Sequence, residues 1–330
     1  MTAANLPALL QRFFTERLQA QLGASPHTIA SYRDTFRLLL VFASARLARA
    51  PSQLRVENLD VTLIGAFLDH LENERTSTPK TRNTRLAAVR AFFRFVAYAE
   101  PACSLQCQQI LAVPSKRHER PTVEFLADEE TAALLAAPDV TTWIGRRDRT
   151  LLQVAVQTGL RNTEIRSLRR RDVQLGVGPH VRCFGKGRKT RCTPLRRDVA
   201  LALGAWLLER GGGPDDPVFP SSRGGRLSSD ALQALVSRNV ITARAKCSSL
   251  VGRSITPHTL RHTAAMGLLQ RGVDMTVIAL WLGHESIETT QIYLHADMRL
   301  KERALGHADP SGVTRRFRPP DSLLAFLQSL

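Results

Sequence analysis

Apolar residues recur at three- and four-residue intervals along most of this chain, and that spacing predicts helices. A first amphipathic stretch runs from about Leu6 to Leu22. Ser25-Pro26 then supplies an N-cap and a first-turn proline, with Ile29, Phe36, Leu39 and Leu40 following at helical spacing. A third helix is expected from Asp60, with Ile64, Phe67, Leu68 and Leu71 on its inner face. A fourth opens at Thr78-Pro79 and runs to about Ala99, burying Leu86, Val89, Phe92, Phe93 and Val96. Residues 1–112 therefore read as one helical domain. Over 113–125 the periodicity stops, and Pro114, Pro121 and the polar run Ser115 to Arg120 mark an interdomain linker.

The second domain, 126–330, opens with Asp128, Glu129 and Glu130 at a helix start, where the helix dipole favours acids. A helix from Arg146 carries Leu151, Leu152, Val154, Ala155 and Val156 to a stop at Gly159. The pattern then changes. Val181 to Leu195 reads as a hairpin, with Gly185 and Gly187 suited to a tight turn. Gly211 to Ser229 is a glycine-, proline- and serine-rich loop, and a helix follows from Ser229 to about Cys247. Short helices are expected over Thr259–Arg271, with Gly272 beyond its end, and from an N-cap at Asp274 to a stop at Gly283. A last turn or two holds Thr289, Thr290, Ile292 and Tyr293. The fold class is thus mainly α with a small β-hairpin or sheet in the second of two domains.

Length and charge narrow the function. The 330 residues suit two domains and a sizeable core, and 46 Lys and Arg against 29 Asp and Glu leave a net charge of +17. That excess favours a polyanionic partner, and both halves of the chain share it. No apolar run reaches the roughly 18 residues of a spanning helix and no signal-peptide pattern is visible, so no membrane association and a cytoplasmic location are expected. The five cysteines (Cys103, Cys107, Cys183, Cys192, Cys247) lack zinc-ligand pairing. Cys183 and Cys192 are expected to face each other across the hairpin, unbonded in a reducing compartment.

The candidate chemistry gathers at the helix ends. His258 and Arg261, three apart, share a helical face, His284 follows the Gly283 stop, and Tyr293 lies nine residues on. His258 and His262 are four apart, but no Glu follows the first and Arg261 between them would repel a cation, so no metal and no cofactor are expected. The H-x-x-R, the L-G-H and the T-T-Q-I-Y, in this order and spacing, resemble box II of the tyrosine recombinases of the phage-integrase and Xer type. Thr158 to Leu168, T-G-L-R-N-T-E-I-R-S-L, resembles box I, with Glu164 and Leu168 as supports for the loop that holds Arg161.

The resemblance implies a site-specific recombinase that cuts and rejoins double-stranded DNA through a 3′-phosphotyrosine, without ATP or metal. It implies Tyr293 as nucleophile, with Arg161, His258, Arg261 and His284 around the same phosphate. Two guanidinium groups suit the charge on the phosphorus oxygens, and His258 could either accept the phenol proton or hold the phosphate. Lys186, in the hairpin turn, matches the mobile lysine that protonates the 5′-oxygen, and Lys189 is a second candidate. The N-terminal domain resembles the SAM-like core-binding domain of the family, including the stretch Arg90 to Phe95. Lys80, Thr81, Arg82, Asn83 and Arg85, at the start of the fourth helix, are its expected DNA contacts.

Integration or transposition of a mobile element is the favoured task, and Xer-like dimer resolution the alternative. A type IB topoisomerase is disfavoured by the separate helical domain, and a silent DNA-binding protein by the complete residue set. Beyond His295, a basic tether leads to an apolar stripe of Leu323, Leu324, Phe326, Leu327 and Leu330. A helix so short needs a docking partner, and the resemblance implies a neighbouring protomer in a tetramer on synapsed DNA.

Overall fold

In a computed structural model of the chain, the described residues are 5–118, 123–185, 190–284, 286 and 288–296, with side chains described as far as Tyr293. Two compact units emerge, Met1–Arg120 and Pro121–Leu330. The hairpin turn with Lys186 and Lys189, and the whole C-terminal tether and apolar stripe, lie outside the described residues.

The first unit is helical, as the spacing predicts. Its helices are α1 (Leu6–Arg12), α2 (Pro26–Leu47), α3 (Val61–Asn73), α4 (Pro79–Ala99) and α5 (Ser104–Ala112). Past Arg12 the first helix widens into a π-helical run, Phe13–Gln21. That register puts residues five apart on one side, and Phe13 and Leu18 are both buried. Ser25, Asp60 and Thr78 cap α2, α3 and α4 through their side-chain oxygens. Phe13, Phe36 and Phe92 meet at the centre with ring centroids 5.2 to 6.2 Å apart. The aromatic residues Phe92 and Phe93 are therefore core.

The second unit comprises α6 (Asp128–Leu135), α7 (Trp143–Thr158), α8 (Asn162–Ser167), α9 (Arg197–Arg210), α10 (Ser229–Arg244), α11 (Pro257–Gln270), α12 (Met275–Leu282) and α13 (Glu288–Ala296). A sheet of order β1-β2-β3 pairs β1 (Val173–Gln174), β2 (His180–Phe184) and β3 (Thr190–Pro194) antiparallel. Helix α7 packs against α9 and α11, and its start lies at Trp143, where Thr142 caps it, rather than at Arg146. Trp206 of α9 is 2 % exposed and donates its indole N–H to the Val218 carbonyl at 2.8 Å.

One expectation needs correction. The register pairs Cys183 with Arg191 and Cys192 with Arg182. Alternation then places Cys183 in the core and Cys192 in solvent, so the two thiols point to opposite faces and cannot bond. Both described ends of the expected linker are held within their own units. Arg90 reaches the Val113 carbonyl, and Asn83 exchanges two hydrogen bonds with the Lys116 backbone at 2.8 and 3.0 Å. At the other end Val123 and Phe125 pack on the cluster around Met266 and Ile278, and Arg253 donates to the Phe125 carbonyl at 2.7 Å. Residues without periodicity are held here by side chains from elsewhere.

Candidate active site

Three left-turning stops place the box residues. Gly159 ends α7 at φ 64° and Gly283 ends α12 at φ 64°, and Gly272 (φ 82°) reverses the chain between α11 and α12. A Cβ on Gly159 would meet Leu282 Cδ2 at 2.7 Å, so the α7 and α12 stops lie in direct contact. Arg261, 3 % exposed, joins them: it donates to the Gly159 carbonyl at 2.6 Å and to the Leu282 carbonyl at 2.7 Å. Arg161 caps the start of α8 and reaches the Gly283 carbonyl at 2.6 Å. The terminal carbonyls of two helices thus orient two guanidinium groups.

Beneath the arginines lies Glu164, 4 % exposed. Its carboxylate accepts from the Arg161 backbone N–H at 2.7 Å and side chain at 2.9 Å, and twice from Arg191 at 2.7 and 2.8 Å. Burial pushes the Glu164 carboxyl upward, but the Arg191 and Arg161 hydrogen bonds and charges outweigh it and hold it below its ordinary value. Arg191, from the hairpin strand β3, also donates to the Trp281 carbonyl at 3.1 Å. It escapes a sequence reading because it looks like one more basic strand residue, and only tertiary packing shows its carboxylate.

Arg191→Ala should therefore destabilise the second unit by about 3–5 kcal/mol, by leaving a buried carboxylate short of donors. Because its folded value is depressed, Glu164 contributes stability that is complete above the unfolded carboxyl range and lost as the pH falls through the lower folded value. Thermal unfolding should show a steepening loss below about pH 4. Glu164→Gln should flatten that slope, and an unchanged slope would remove Glu164 from the account.

A cavity of about 460 Å³ opens over this layer, lined by Arg161, Asn162, His258, Arg261, His284 and Thr289 among others. Four of the sequence-predicted residues thus share one cavity. Arg161 retains 31 % of its side-chain exposure there. Burial, then the nearby Arg161 charge, lowers Arg261 to about 10, so it stays charged at neutral pH. Burial and the surrounding arginines bring His284 to about 4, so at neutral pH it is an uncharged hydrogen-bonding group. Its Nδ1 lies 2.7 Å from Thr290 Oγ1.

Tyr293 lies beside the cavity on α13, with 1 % of its surface exposed. Burial raises its phenol to about 12, against the pull of Arg261 and Arg161. Its hydroxyl meets His262 Nδ1 at 3.0 Å, and its ring lies nearly parallel to His284 with centroids 6.5 Å apart. His262 is the residue a sequence reading passes over. Weighed only as half of a metal pair with His258, it sits one helical turn from His258 and faces the tyrosine instead. Among the described residues, no group of three or more His, Cys, Asp or Glu could hold a metal ion.

In the first unit the expected contacts divide. Lys80 and Thr81 are exposed and Arg85 is half-buried at the start of α4. Arg82 is buried, lies 3.6 Å from Glu72 and donates to the Pro114 carbonyl at 3.4 Å, while Asn83 clamps Lys116. The last two pin the chain leaving the domain. Likewise Glu130, expected to serve the helix dipole, is buried and ion-paired with Arg253 at 2.6 Å.

This arrangement, a helical unit followed by a mixed unit with a buried tyrosine beside two arginines, agrees with what the comparisons find. The profile of the Phage integrase family matches residues 124–299, and that of the phage integrase N-terminal SAM-like domain matches residues 11–100. The chain belongs to the phage integrase family and is a site-specific tyrosine recombinase. It is 54 % identical to a putative integrase/recombinase, y4rC, of Sinorhizobium fredii, over 99 % of each chain. It is 33 % identical to the tyrosine recombinase XerC of Pelobacter propionicus, over 92 % of this chain and 96 % of that one. Among solved structures it is similar to a XerH site-specific recombinase bound to its palindromic difH substrate after cleavage, with TM-score 0.70 and 24 % identity over 86 % and 81 % of the two chains. It is also similar to a lambda integrase tetramer bound to a Holliday junction, with TM-score 0.64 and 18 % identity over 95 % and 81 %. At those identities the likeness to the solved structures is one of fold. Among the described residues, no helix is long and apolar enough to cross a membrane.

Proposed function

We propose that Tyr293 attacks a phosphodiester of double-stranded DNA, forming a 3′-phosphotyrosine that a second 5′-hydroxyl later resolves. The observation that carries this reading is the meeting of Arg161, His258, Arg261 and His284 in one cavity beside a buried tyrosine. Two fixed guanidinium groups match the doubly charged phosphorus oxygens of the transition state and need no reorganisation when the charge develops. A Thr290 hydroxyl donating to His284 Nδ1 would fix the tautomer whose Nε2–H serves as a third donor. Lys186 is the assigned donor to the 5′-oxygen, with Lys189 as the alternative. Lys80, Thr81 and Arg85 are the assigned backbone contacts of the first unit, Arg82 and Asn83 having structural work.

The working form is a tetramer on synapsed DNA in the cytoplasm, and the task is movement of a mobile element. The full-length likeness to a putative integrase/recombinase supports that task. Xer-like resolution is the other reading, favoured by XerC and XerD relatives that match nearly the whole chain at 30–33 % identity. Incubating the protein with a randomised pool of nicked duplexes, stopping with detergent and sequencing the protein-linked DNA tests the chemistry and recovers the site. A pool that never yields a covalent adduct would overturn it. Mapping the recovered site to element ends or to a chromosome-dimer locus decides the task.

The tail enters as a coupling device. Deleting residues 320–330 should spare binding to a single site and impair synapsis, read by mobility shift on one-site and two-site substrates. A truncated chain that synapses at full strength would confine the tail to its own protomer.

A further inference from the structure

We propose that His262 is the base that takes the phenolic proton from Tyr293. The inference rests on the reading of Tyr293 as the nucleophile. A phenol shut away from water attacks phosphorus poorly unless an acceptor removes its proton as the new bond forms. The acceptor in reach is His262, whose Nδ1 lies 3.0 Å from the hydroxyl with the rings steeply inclined at 66°. The other candidates are otherwise placed. His284 lies nearly parallel to the tyrosine ring, 6.5 Å away between centroids, with its Nδ1 engaged by Thr290, and His258 lines the cavity where the phosphate belongs.

The surroundings keep His262 able to accept. On its own helix it faces His258, edge-on with centroids 4.2 Å apart, and Arg261; from the C-terminal segments it faces His284 and Tyr293. Burial first, then the charges of His258 and Arg261, bring its imidazole down to about 4. At neutral pH it is uncharged, and to accept from the phenol it takes the tautomer that carries its proton on Nε2. In the step, the Tyr293 O–H bond breaks and its proton passes to Nδ1. The phenolic oxygen bonds to phosphorus as the bond to the 5′-oxygen breaks, and the leaving oxygen takes a proton from the hairpin lysine. Religation runs the same transfers backwards, with the imidazolium returning its proton to the departing phenol. Burial and the neighbouring Arg261 and His258 make the imidazolium a strong acid, which suits that return.

The test is the pH dependence of adduct formation on a nicked duplex recovered from the covalent selection, for the full chain and the variants His262→Gln and His262→Phe. Glutamine can still accept a hydrogen bond from the phenol but cannot take its proton, so it separates positioning from base catalysis. Between about pH 6 and 9 the wild-type rate should be nearly flat. Both variants should be slower by on the order of 10²–10³ at neutral pH, and their rates should climb roughly tenfold per pH unit as the phenolate fraction grows. Thermal unfolding and site binding, measured alongside, identify any variant that fails to fold, in which case the other variant decides. A glutamine variant at the wild-type rate, or variants slowed by one factor at every pH, would reduce His262 to a packing or positioning residue. A variant faster than wild type would make the contact a restraint on the tyrosine. Adducts formed by Tyr293→Phe in the same assay would remove the nucleophile reading beneath the proposal, an outcome that none of the His262 results can produce.

Discussion

Replacing Tyr293 by phenylalanine should abolish the covalent protein–DNA adduct and leave binding to the same duplex nearly unchanged. The ring belongs to the buried cluster that includes Met266, Ile278 and Leu282, and phenylalanine keeps it. What disappears is the hydroxyl and its 3.0 Å contact with His262, a histidine that stays neutral and is partly open, so the structural cost is modest, about 1 kcal/mol. The chemical cost is total, because no other hydroxyl has been assigned to the phosphorus. A nicked suicide substrate resolved on a denaturing gel reads both quantities when paired with a mobility shift. Adduct at the wild-type level would place the nucleophile elsewhere, with Thr290 or the cavity-lining Thr289 the first alternatives to mutate.

How far this site could be read from residues alone depends on what each residue does. Arg161 and His284 follow the helix stops at Gly159 and Gly283, and His258 and Arg261 open α11 behind its Thr256 cap. Such stops and caps are legible because glycine is what a left-turning cap requires and Thr or Ser what an N-cap prefers. The helical unit was legible for the same kind of reason: its core positions repeat at helical spacing and its caps are Ser25, Asp60 and Thr78. Helix α9 carried a comparable signal in Val199, Leu203, Trp206 and Leu207, yet it lies between a hairpin and a loop and drew no expectation. Arg191 was missed, and the partners of Arg82, Asn83 and Glu130 went unseen, for a different reason. Each looks like a polar surface residue in one dimension, and each acquires its meaning from a partner far along the chain, such as Glu164 for Arg191 or Arg253 for Glu130. His262 belongs with them. Its neighbour in sequence is Arg261, but the group it serves is thirty-one residues away.

The two arginines of the site should fail in different ways when truncated, although their chemical task is shared. Either Arg161→Ala or Arg261→Ala removes a fixed cation from the developing phosphorane, and each should slow cleavage by on the order of a hundredfold or more. Stability is where they part. Arg161 is partly open, and its buried partner Glu164 keeps both hydrogen bonds from Arg191 when Arg161 is gone. Its loss should move the melting temperature little. Arg261 is buried and supplies the donors for the Gly159 and Leu282 carbonyls at the ends of α7 and α12. Truncating it strips both carbonyls in a place water reaches poorly, at a cost of about 3 kcal/mol, or roughly 10 °C in a unit of this size. Arg261→Lys keeps the charge but cannot fork between two carbonyls, so it should recover part of the stability and little of the rate. Single-turnover cleavage and thermal unfolding of the same preparations separate these terms. Equal melting temperatures for the two alanine variants would show that the carbonyl bridge contributes nothing to holding the helix ends together, and Arg261 would then be a phosphate ligand alone.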